Sequence, residues 1–355
     1  MRTGQDVKAD VVELLAAMAN AMKRRADLHR ARAYARAANA VARRPDFEAL
    51  LAAGRLREIE GVGPAIERKI LAFVERGEKP DWLVPPDAAG DPEEALGVRT
   101  VPRSYREAPF ADAPDLHCHT TWSDGSLSID ELAAVAGLLG APAVGVSDHS
   151  GSLRIARGLA PDEVRAQWQE IARVQAERPG VRILRGTECD VLRDGTLDHP
   201  PALLAEFDYV IGSLHSQLRL PQKEQTERVL RALDCERLTI LGHPTTRVPG
   251  RRPRANLDLE AVFQKAAERG VAMEVNGNPG RLDLDEALAR QALRAGCRLS
   301  LGSDGHSALE MLAFEKARRI AAKAGASEAD LVNYDVLARA SKPRRPSSGR
   351  ARSTA

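Results

Sequence analysis

The sequence predicts an α/β fold, a parallel (β/α) barrel or a doubly wound sheet, preceded by a small all-helical domain. Three observations carry that expectation. Seven strand-like segments alternate with amphipathic helices between residues 115 and 304, the rhythm that buries a parallel sheet beneath helices. Residues 7–76 hold only helical patterns, and a proline-rich interval separates the two regions. At 355 residues, with 43% hydrophobic and 29% charged side chains, the chain is long enough for two domains and apolar enough to bury a sizeable core.

In chain order, Val7–Asn20 and Leu28–Ala42 read as alanine-rich periodic helices and Phe47–Ala53 as a short third. Ile59–Pro64 is a tight glycine turn, and Ala65–Arg76 follows with Ile66, Ile70 and Phe73 on one stripe. From Lys79 to Pro114, seven prolines with several Gly and Asp mark a linker. The strand candidates are Asp115–Thr120, Ala143–His149, Arg182–Glu188, Tyr209–His215, Leu238–His243, Ala272–Asn276 and Arg298–Asp304. One intervening helix opens with a capping box at Ser128 and Glu131, another with Pro161 in its first turn. The tail Ser341–Ala355 is rich in Pro, Ser and Arg and is expected to be disordered. The expected division is a helical domain over 1–79, a linker over 80–111, the α/β domain over 112–340 and a basic tail over 341–355.

Charge is unevenly spread. The net charge of the whole chain is +2, yet residues 1–80 hold 16 Lys and Arg against 11 Asp and Glu, and residues 341–355 hold 5 basic residues and no acids. Two basic ends thus flank an acidic centre, which suits a polyanion at the ends and cations in the middle; ordinary solvated surfaces would look the same. Cys118, Cys189, Cys235 and Cys297 are scattered without a Cys-x-x-Cys pair, so neither a disulfide framework nor a thiolate zinc site is indicated. The uncharged run Leu132–Val146 is broken by Gly and Pro and falls short of the ~18–20 residues of a membrane helix. The N-terminal residues are charged where a signal peptide would be apolar. A cytoplasmic protein without membrane association is expected.

Placed on this rhythm, the polar residues converge. His117 and His119 end the first strand candidate, one residue apart and therefore on one face. His149, Glu188, His215, His243 and Asn276 end the next five, Asp304 and His306 end the seventh, and Asp124 lies in the loop after the first. In a closed barrel all these C-terminal ends share one rim, where barrel active sites are built. Six of the eight histidines fall there; His29 and His199 do not. So many imidazoles and carboxylates in one place would be costly without cations to balance them, which points to a multinuclear metal site. Nine nitrogen and oxygen ligands without a thiolate suffice for two or three ions and suit Zn²⁺, Mn²⁺ or Fe²⁺ better than Ca²⁺ or copper. Clustered divalent ions bind phosphate oxygens, lower the pKa of a bridging water toward ~7 and stabilise a leaving oxygen. Arg247, four residues after His243, is positioned in sequence to donate to a phosphate; a surface ion pair is the plain alternative. Asp148 and Asn276 are the other candidates for catalytic work.

The segments DLHCHTTWSDG, GVSDHS, RGTECDVL, IGSLHS, LGHPTTR, MEVNGNPGRLDL and LGSDGH occur in this order. They resemble the motifs of the PHP (polymerase and histidinol phosphatase) phosphoesterases, most closely the PHP domain at the C-terminus of bacterial family X DNA polymerases. The resemblance implies a distorted (β/α)7 TIM-like barrel with a trinuclear centre of Mn²⁺ or Zn²⁺. It implies that His117, His119, Glu188 and Asp304 hold one ion, that Glu188, His215 and His243 hold a second with Glu188 bridging, and that Asp124, His149 and His306 hold a third. Cys118 and Cys189 neighbour ligands but are expected to point into the core.

Leu56–Phe73, LREIEGVGPAIERKILAF, fits a helix-hairpin-helix pattern. Gly61 and Gly63 let the turn approach a phosphate, toward which the first amides of the next helix point. The wider stretch, over residues 7–78, resembles the small N-terminal lyase domain of family X polymerases. That resemblance implies DNA binding and matches His29, Arg30 and Tyr34 to positions around a 5′-phosphate pocket and Lys69 to the Schiff-base lysine. A further lysine one turn earlier is usual there; here Ala65 replaces it, and Lys69 then reads as a plain helix lysine. A polymerase palm would lie between the two modules, but about 35 residues are too few to build one. The combined expectation is a metal-dependent phosphoesterase acting on DNA at a gap, nick or 3′ end, as a 3′→5′ exonuclease or end-processing repair enzyme without polymerase activity. It grips the backbone without reading sequence. A small-molecule phosphatase of the histidinol phosphatase type is the alternative.

Overall fold

Val11, Leu14, Leu15, Met18 and Met22 recur at helical spacing and form a buried face on α1 (Gly4–Arg24), as a 3.6-residue period requires. The structure is a computed structural model that describes residues 4–24, 28–42, 44–78, 80 and 101–340. Most of the expected linker and the whole expected tail lie outside the described residues. The chain divides into two compact units, Met1–Gly97 and Val98–Ala355.

In the first unit, the α1 face meets Tyr34, Ala37, Ala38 and Val41 of α2 (Leu28–Ala42) and Phe47 and Leu50 of α3 (Phe47–Ala52). A single 3-10 turn, Leu56–Glu58, precedes the glycine turn and α4 (Pro64–Arg76). Leu56, Ile59, Val62, Ile66 and Ile70 complete the core. Gly61 takes φ +85° against the backbone of Arg36 and Ala37, a conformation that costs a side-chain-bearing residue but not glycine. Gly63 caps α4, and Pro64 occupies its first position, where the missing amide is no loss. Arg57 pairs with Glu67 at 2.6 Å and ties the 3-10 turn to α4.

The second unit is a closed ring of parallel segments. β1 (Ala143–Val146) pairs with β2 (Arg182–Arg185). β3 (Glu188–Asp190), β4 (Ile211–Ser213), β5 (Ile240–Leu241), β6 (Ala272–Asn276) and β7 (Leu299–Gly302) follow in order. A bridge from His149 to Glu188 joins the end of β1 to β3, and bridges from Asp115 to Val144 and from Cys118 to Gly305 join the first segment to both β1 and the end of β7. Closure makes the fold a barrel rather than a doubly wound sheet. The first strand candidate is therefore a bridged segment, and Arg182–Glu188 splits. Gly186 donates to Val146 at 2.8 Å, but Ile211 already donates to Thr187 at 2.9 Å, so the segment changes partners along its length, as tilt and stagger in a barrel demand. Leu238–His243 shortens because His243 leaves the extended region at φ +25°.

One end of the barrel is plugged. Leu116, Ala143, Leu184, Ile211, Ile240 and Ala272 meet Val332 and Val336 of the last described helix, Val332–Ala340; burying such side chains stabilises by roughly 1.5–3 kcal/mol each. Asn333 donates to the carbonyls of Pro114 and Leu301 and accepts from the Leu301 amide. The expected caps are present: Ser128 and Glu131 form the reciprocal box before Ile129–Leu138, and Pro161 opens Pro161–Glu177. Tyr105, within the interval expected as linker, is buried beneath Arg318, whose guanidinium lies 4.3 Å from the ring and donates to the Tyr105 carbonyl at 2.6 Å. Among the described residues no helix is long and apolar enough to cross a membrane.

Candidate metal centre

The open end of the ring gathers the nine rim residues. Alternation along the first segment sends Leu116 and Cys118 into the core and His117 and His119 to the rim. Glu188 is the hub. Its Oε1 lies 2.8 Å from His243 Nε2 and 3.2 Å from His215 Nε2. Its Oε2 lies 2.9 Å from His149 Nδ1, 3.4 Å from His117 Nε2 and 3.6 Å from His119 Nε2. Asp304 Oδ1 faces His119 Nε2 at 3.3 Å and His117 Nε2 at 3.7 Å. Asp124 Oδ1 faces His306 Nε2 at 3.3 Å, His149 Nε2 at 3.6 Å and His119 Nδ1 at 4.0 Å. His119 thus stands between the Asp304 and Asp124 groups. Asp304 holds φ +53°, and this strained non-glycine conformation, like that of His243, turns the side chain out of the strand.

A second layer of carboxylates orients the imidazoles. Glu274 Oε1 contacts His117 Nδ1 at 2.5 Å, and its Oε2 accepts from the His243 amide. Asp190 Oδ1 contacts His215 Nδ1 at 2.5 Å. With Nδ1–H donating to a carboxylate, each ring presents a basic Nε2 to the centre. Asp115 accepts from the amides of His117 and Ser303 and so couples the first segment to the loop carrying Asp304. Gly302 leaves the room this layer needs: a Cβ there would stand 2.6 Å from Glu274 Oε1 and 2.7 Å from His117 Cβ.

Charge at the rim is strongly coupled. Burial would raise the Glu188 carboxyl, but His215, His117 and His149 outweigh it and hold it well below the ordinary range. Asp304 is likewise held low by His117, His119 and His306 against its burial. Burial, with His306 and His149 nearby, pushes His119 down to about 4. His215 and His306 rise to about 9 and about 10, because Glu188 and Asp190 in one case, and Asp124 in the other, overcome burial.

The donor set fits divalent ions. His117 Nε2, both ring nitrogens of His119, His215 Nε2 and Glu188 Oε2 are buried without a hydrogen-bond partner, a costly state for polar atoms that metal ligation resolves. Ligand atoms lie within 4.8 Å of one another in three groups: His119, Asp124, His149 and His306; His117, His119 and Asp304; His149, Glu188 and His215. Nitrogen and carboxylate donors suit Zn²⁺, Mn²⁺ and Fe²⁺. The thiols stay out of it: Cys118 Sγ faces Ser303 Oγ, and Cys189 Sγ accepts from the His199 amide.

The three candidate catalytic residues land differently. Asn276 Nδ2 donates to Asp304 Oδ2 at 3.2 Å and to Glu274 Oε2 at 3.3 Å, bracing both layers. Asp148 is buried and accepts from Thr120 Oγ1 and amide, Ser123 Oγ and Gln167 Nε2, so its carboxylate shapes the loop bearing Asp124. Arg247 is turned aside: its guanidinium donates to the carbonyls of Arg281 and Leu282 and pairs with Asp285 at 3.2 Å. Among the described residues the guanidinium that reaches the rim carboxylates is that of Arg281, whose Nε lies 3.5 Å from Asp304 Oδ2. Sequence reasoning missed Arg281 and the outer carboxylates. Asp190 and Glu274 each stand two residues from a residue singled out on the same strand, Glu188 and Asn276, so the strand period could have found them. No local pattern marks Arg281.

In the first unit, Arg30, Tyr34, Gly61, Gly63, Ala65 and Lys69 line one pocket of about 650 Å³. The structure thus brings together five of the six residues expected to contact DNA; the side chain of His29 lies outside the described residues. Gly63 stands at the pocket wall as the N-cap of α4, its carbonyl accepting from the Ile66 and Glu67 amides at 3.0 and 2.9 Å.

Two family models match separate stretches of the chain. The family model for the PHP domain matches residues 115–278, and that for the helix-hairpin-helix domain matches residues 7–79. "DNA polymerase/3′-5′ exonuclease PolX" of Bacillus subtilis (strain 168) is 39% identical over 214 residues, which cover 60% of this chain and 37% of that protein. The chain therefore spans little more than a third of that relative. A "Probable phosphatase" of Thermoanaerobacter sp. (strain X514) is 29% identical over 234 residues, covering 62% of this chain and 90% of that one. Among solved structures, histidinol phosphate phosphatase from Lactococcus lactis subsp. lactis Il1403, complexed with Zn, L-histidinol and phosphate, is similar at 21% identity with a TM-score of 0.47, over 61% of this chain and 95% of that chain.

Proposed function

We propose that this chain, which carries a PHP domain behind a helix-hairpin-helix domain, hydrolyses phosphoester bonds at DNA ends, as a 3′→5′ exonuclease or 3′-end-processing enzyme. The observation that carries the reading is the pairing, in one chain, of the rim around Glu188 with the glycine-walled pocket of Arg30, Tyr34 and Lys69. His117, His119, Glu188 and Asp304 would hold one ion, Glu188, His215 and His243 a second, and Asp124, His149 and His306 a third, as Mn²⁺ or Zn²⁺. Divalent ions there would supply a nucleophilic water near neutral pH and neutralise charge on the phosphate. Glu274 and Asp190 keep His117 and His215 in the tautomer that ligates, Asn276 braces Asp304, and Arg281 offers a guanidinium to a phosphate oxygen beside it.

The helix-hairpin-helix pocket would grip the phosphate backbone without reading bases, with salt-sensitive affinity. No nucleotide polymerisation is expected, because the interval between the two matched domains is too short for a palm. Scattered thiols, three of them buried, support a cytoplasmic setting.

The test is a 5′-labelled duplex with a recessed or gapped 3′ end, incubated with Mn²⁺ and resolved on a sequencing gel. A ladder shortening from the 3′ end, lost in His117→Ala, is the expected result. A second reading, a small-molecule phosphatase, draws on the phosphatase relative matched over 90% of its length. Intact DNA together with hydrolysis of histidinol phosphate would establish it and end the DNA reading.

A further inference from the structure

Away from the metal centre, the loops that follow β4 and β5 enclose a groove of about 630 Å³ lined by Arg219, Thr246, Arg251, Arg252 and Arg254 among others. Each loop starts at a rim histidine. Arg219 lies four residues after His215, and the Thr246 amide donates to the His243 carbonyl at 2.8 Å. The groove therefore opens from the same end of the barrel as the centre.

Its basic wall is built rather than loose. Val248 and Arg252 exchange backbone hydrogen bonds at 2.9 and 2.8 Å around Gly250. Arg252 Nε donates to the Thr246 carbonyl at 2.8 Å, Arg254 pairs with Asp285, and Arg247 is locked onto the loop that carries Arg281. The stretch from Arg247 to Arg254 contains four arginines and no acid. Arg219 and Arg251 are exposed and make no ion pair among the described residues. Arg281 Nε lies 3.5 Å from Asp304 Oδ2, and Arg247, at the start of the basic stretch, donates to the Arg281 carbonyl at 3.2 Å, so guanidinium groups run from the side of Asp304 toward the groove.

Like charges fixed side by side repel, and an anion spanning them removes that cost. A single phosphate would engage one or two guanidiniums; a row of them matches successive phosphates, which arginine binds in bidentate fashion. We infer that this groove holds the sugar–phosphate backbone of a single nucleic-acid strand and leads its terminal phosphoester into the metal centre. The inference rests on the DNA reading of the centre. Contacts of this kind carry no base preference.

The test uses the full chain with Mn²⁺ and oligothymidylates of ~2 to ~8 nucleotides, comparing the natural protein with Arg219→Ala/Arg251→Ala and with the charge-retaining Arg219→Lys/Arg251→Lys. In the natural protein kcat/KM should climb about tenfold or more with length and fall with salt, each contact contributing a slope of about 0.7. The double alanine variant should lose the length dependence and about two contacts' worth of salt slope through KM, with the lysine pair restoring most of both. Length dependence undiminished in the alanine variant would overturn the groove while DNA hydrolysis stands. Hydrolysis of bis(p-nitrophenyl) phosphate with neither the oligonucleotides nor the recessed 3′ end of a duplex cleaved would instead sink the DNA reading, and the groove's role with it.

Discussion

Replacing Glu188 by Gln removes one negative charge while leaving shape and volume nearly unchanged. In the structure its two oxygens lie within 3.6 Å of five imidazole nitrogens, so no other side chain touches as much of the rim. A unit charge pair about 4 Å apart interacts by ~4 kcal/mol at an effective dielectric of ~20. At ~1.4 kcal/mol per decade, and with a divalent ion doubling the pair energy, loss of the charge should weaken each ion that Glu188 would hold by at least about three orders of magnitude. The amide also points an N–H group at imidazole nitrogens, two of them on rings whose other nitrogen contacts a carboxylate, Glu274 or Asp190. The assay is metal content after gel filtration, measured by mass spectrometry, alongside Mn²⁺-dependent hydrolysis of bis(p-nitrophenyl) phosphate. Glu188→Gln should retain fewer ions than the natural protein and lose about 10³-fold in activity, with its circular dichroism spectrum intact. Natural metal content together with activity within tenfold of the natural protein would refute the reasoning that makes Glu188 the hub.

Three further outcomes follow from the same geometry. Asp190→Asn keeps the fold but loosens the His215 ring, so metal affinity should drop by about 10- to 100-fold in a competition titration with a chromogenic chelator; unchanged affinity would remove Asp190 from the centre. Arg281→Ala should lower kcat/KM by about 10²-fold, while Arg247→Ala should act mainly on thermal stability; the reverse pattern would return the phosphate-facing role to Arg247. Burial pushes the Cys297 thiol to about 11, the Cys189 thiol to about 12 and the Cys118 thiol well above its ordinary value, so all three stay protonated at pH 8, where only the thiolate reacts. A disulfide reagent should then titrate half-buried Cys235 alone in the native protein and all four thiols in denaturant; fast reaction of a second native thiol would contradict the burial.

Much of the molecule was legible without coordinates. Periodicity, caps and glycine turns act over a few residues, so Ser128 with Glu131, Pro161 at a helix start and the Gly61–Gly63 turn were readable from local chemistry. Strand ends repeat the same logic, which is why His117, His119, His149, Glu188, His215, His243 and Asp304 could be assigned to one rim. Element lengths were less legible. The segment from Arg182 breaks at Gly186, because its neighbours change along the tilted barrel, and that depends on strands far away in sequence.

Tertiary structure alone decided the rest. Barrel closure needs Asp115 beside Val144 and Cys118 beside Gly305, contacts between distant segments that no window of sequence contains. The same holds for the choice of cation at the rim. Arg247 follows a rim histidine closely in sequence, yet the carbonyls of Arg281 and Leu282 and the Asp285 carboxylate claim its donors, while Arg281 reaches Asp304. A long side chain in a loop goes where unpaired partners are, and those partners are set by packing. Sequence determined which residue types meet at the open end of the barrel; folding determined which atoms face the centre, because direction is fixed by long-range hydrogen bonds rather than by spacing along the chain.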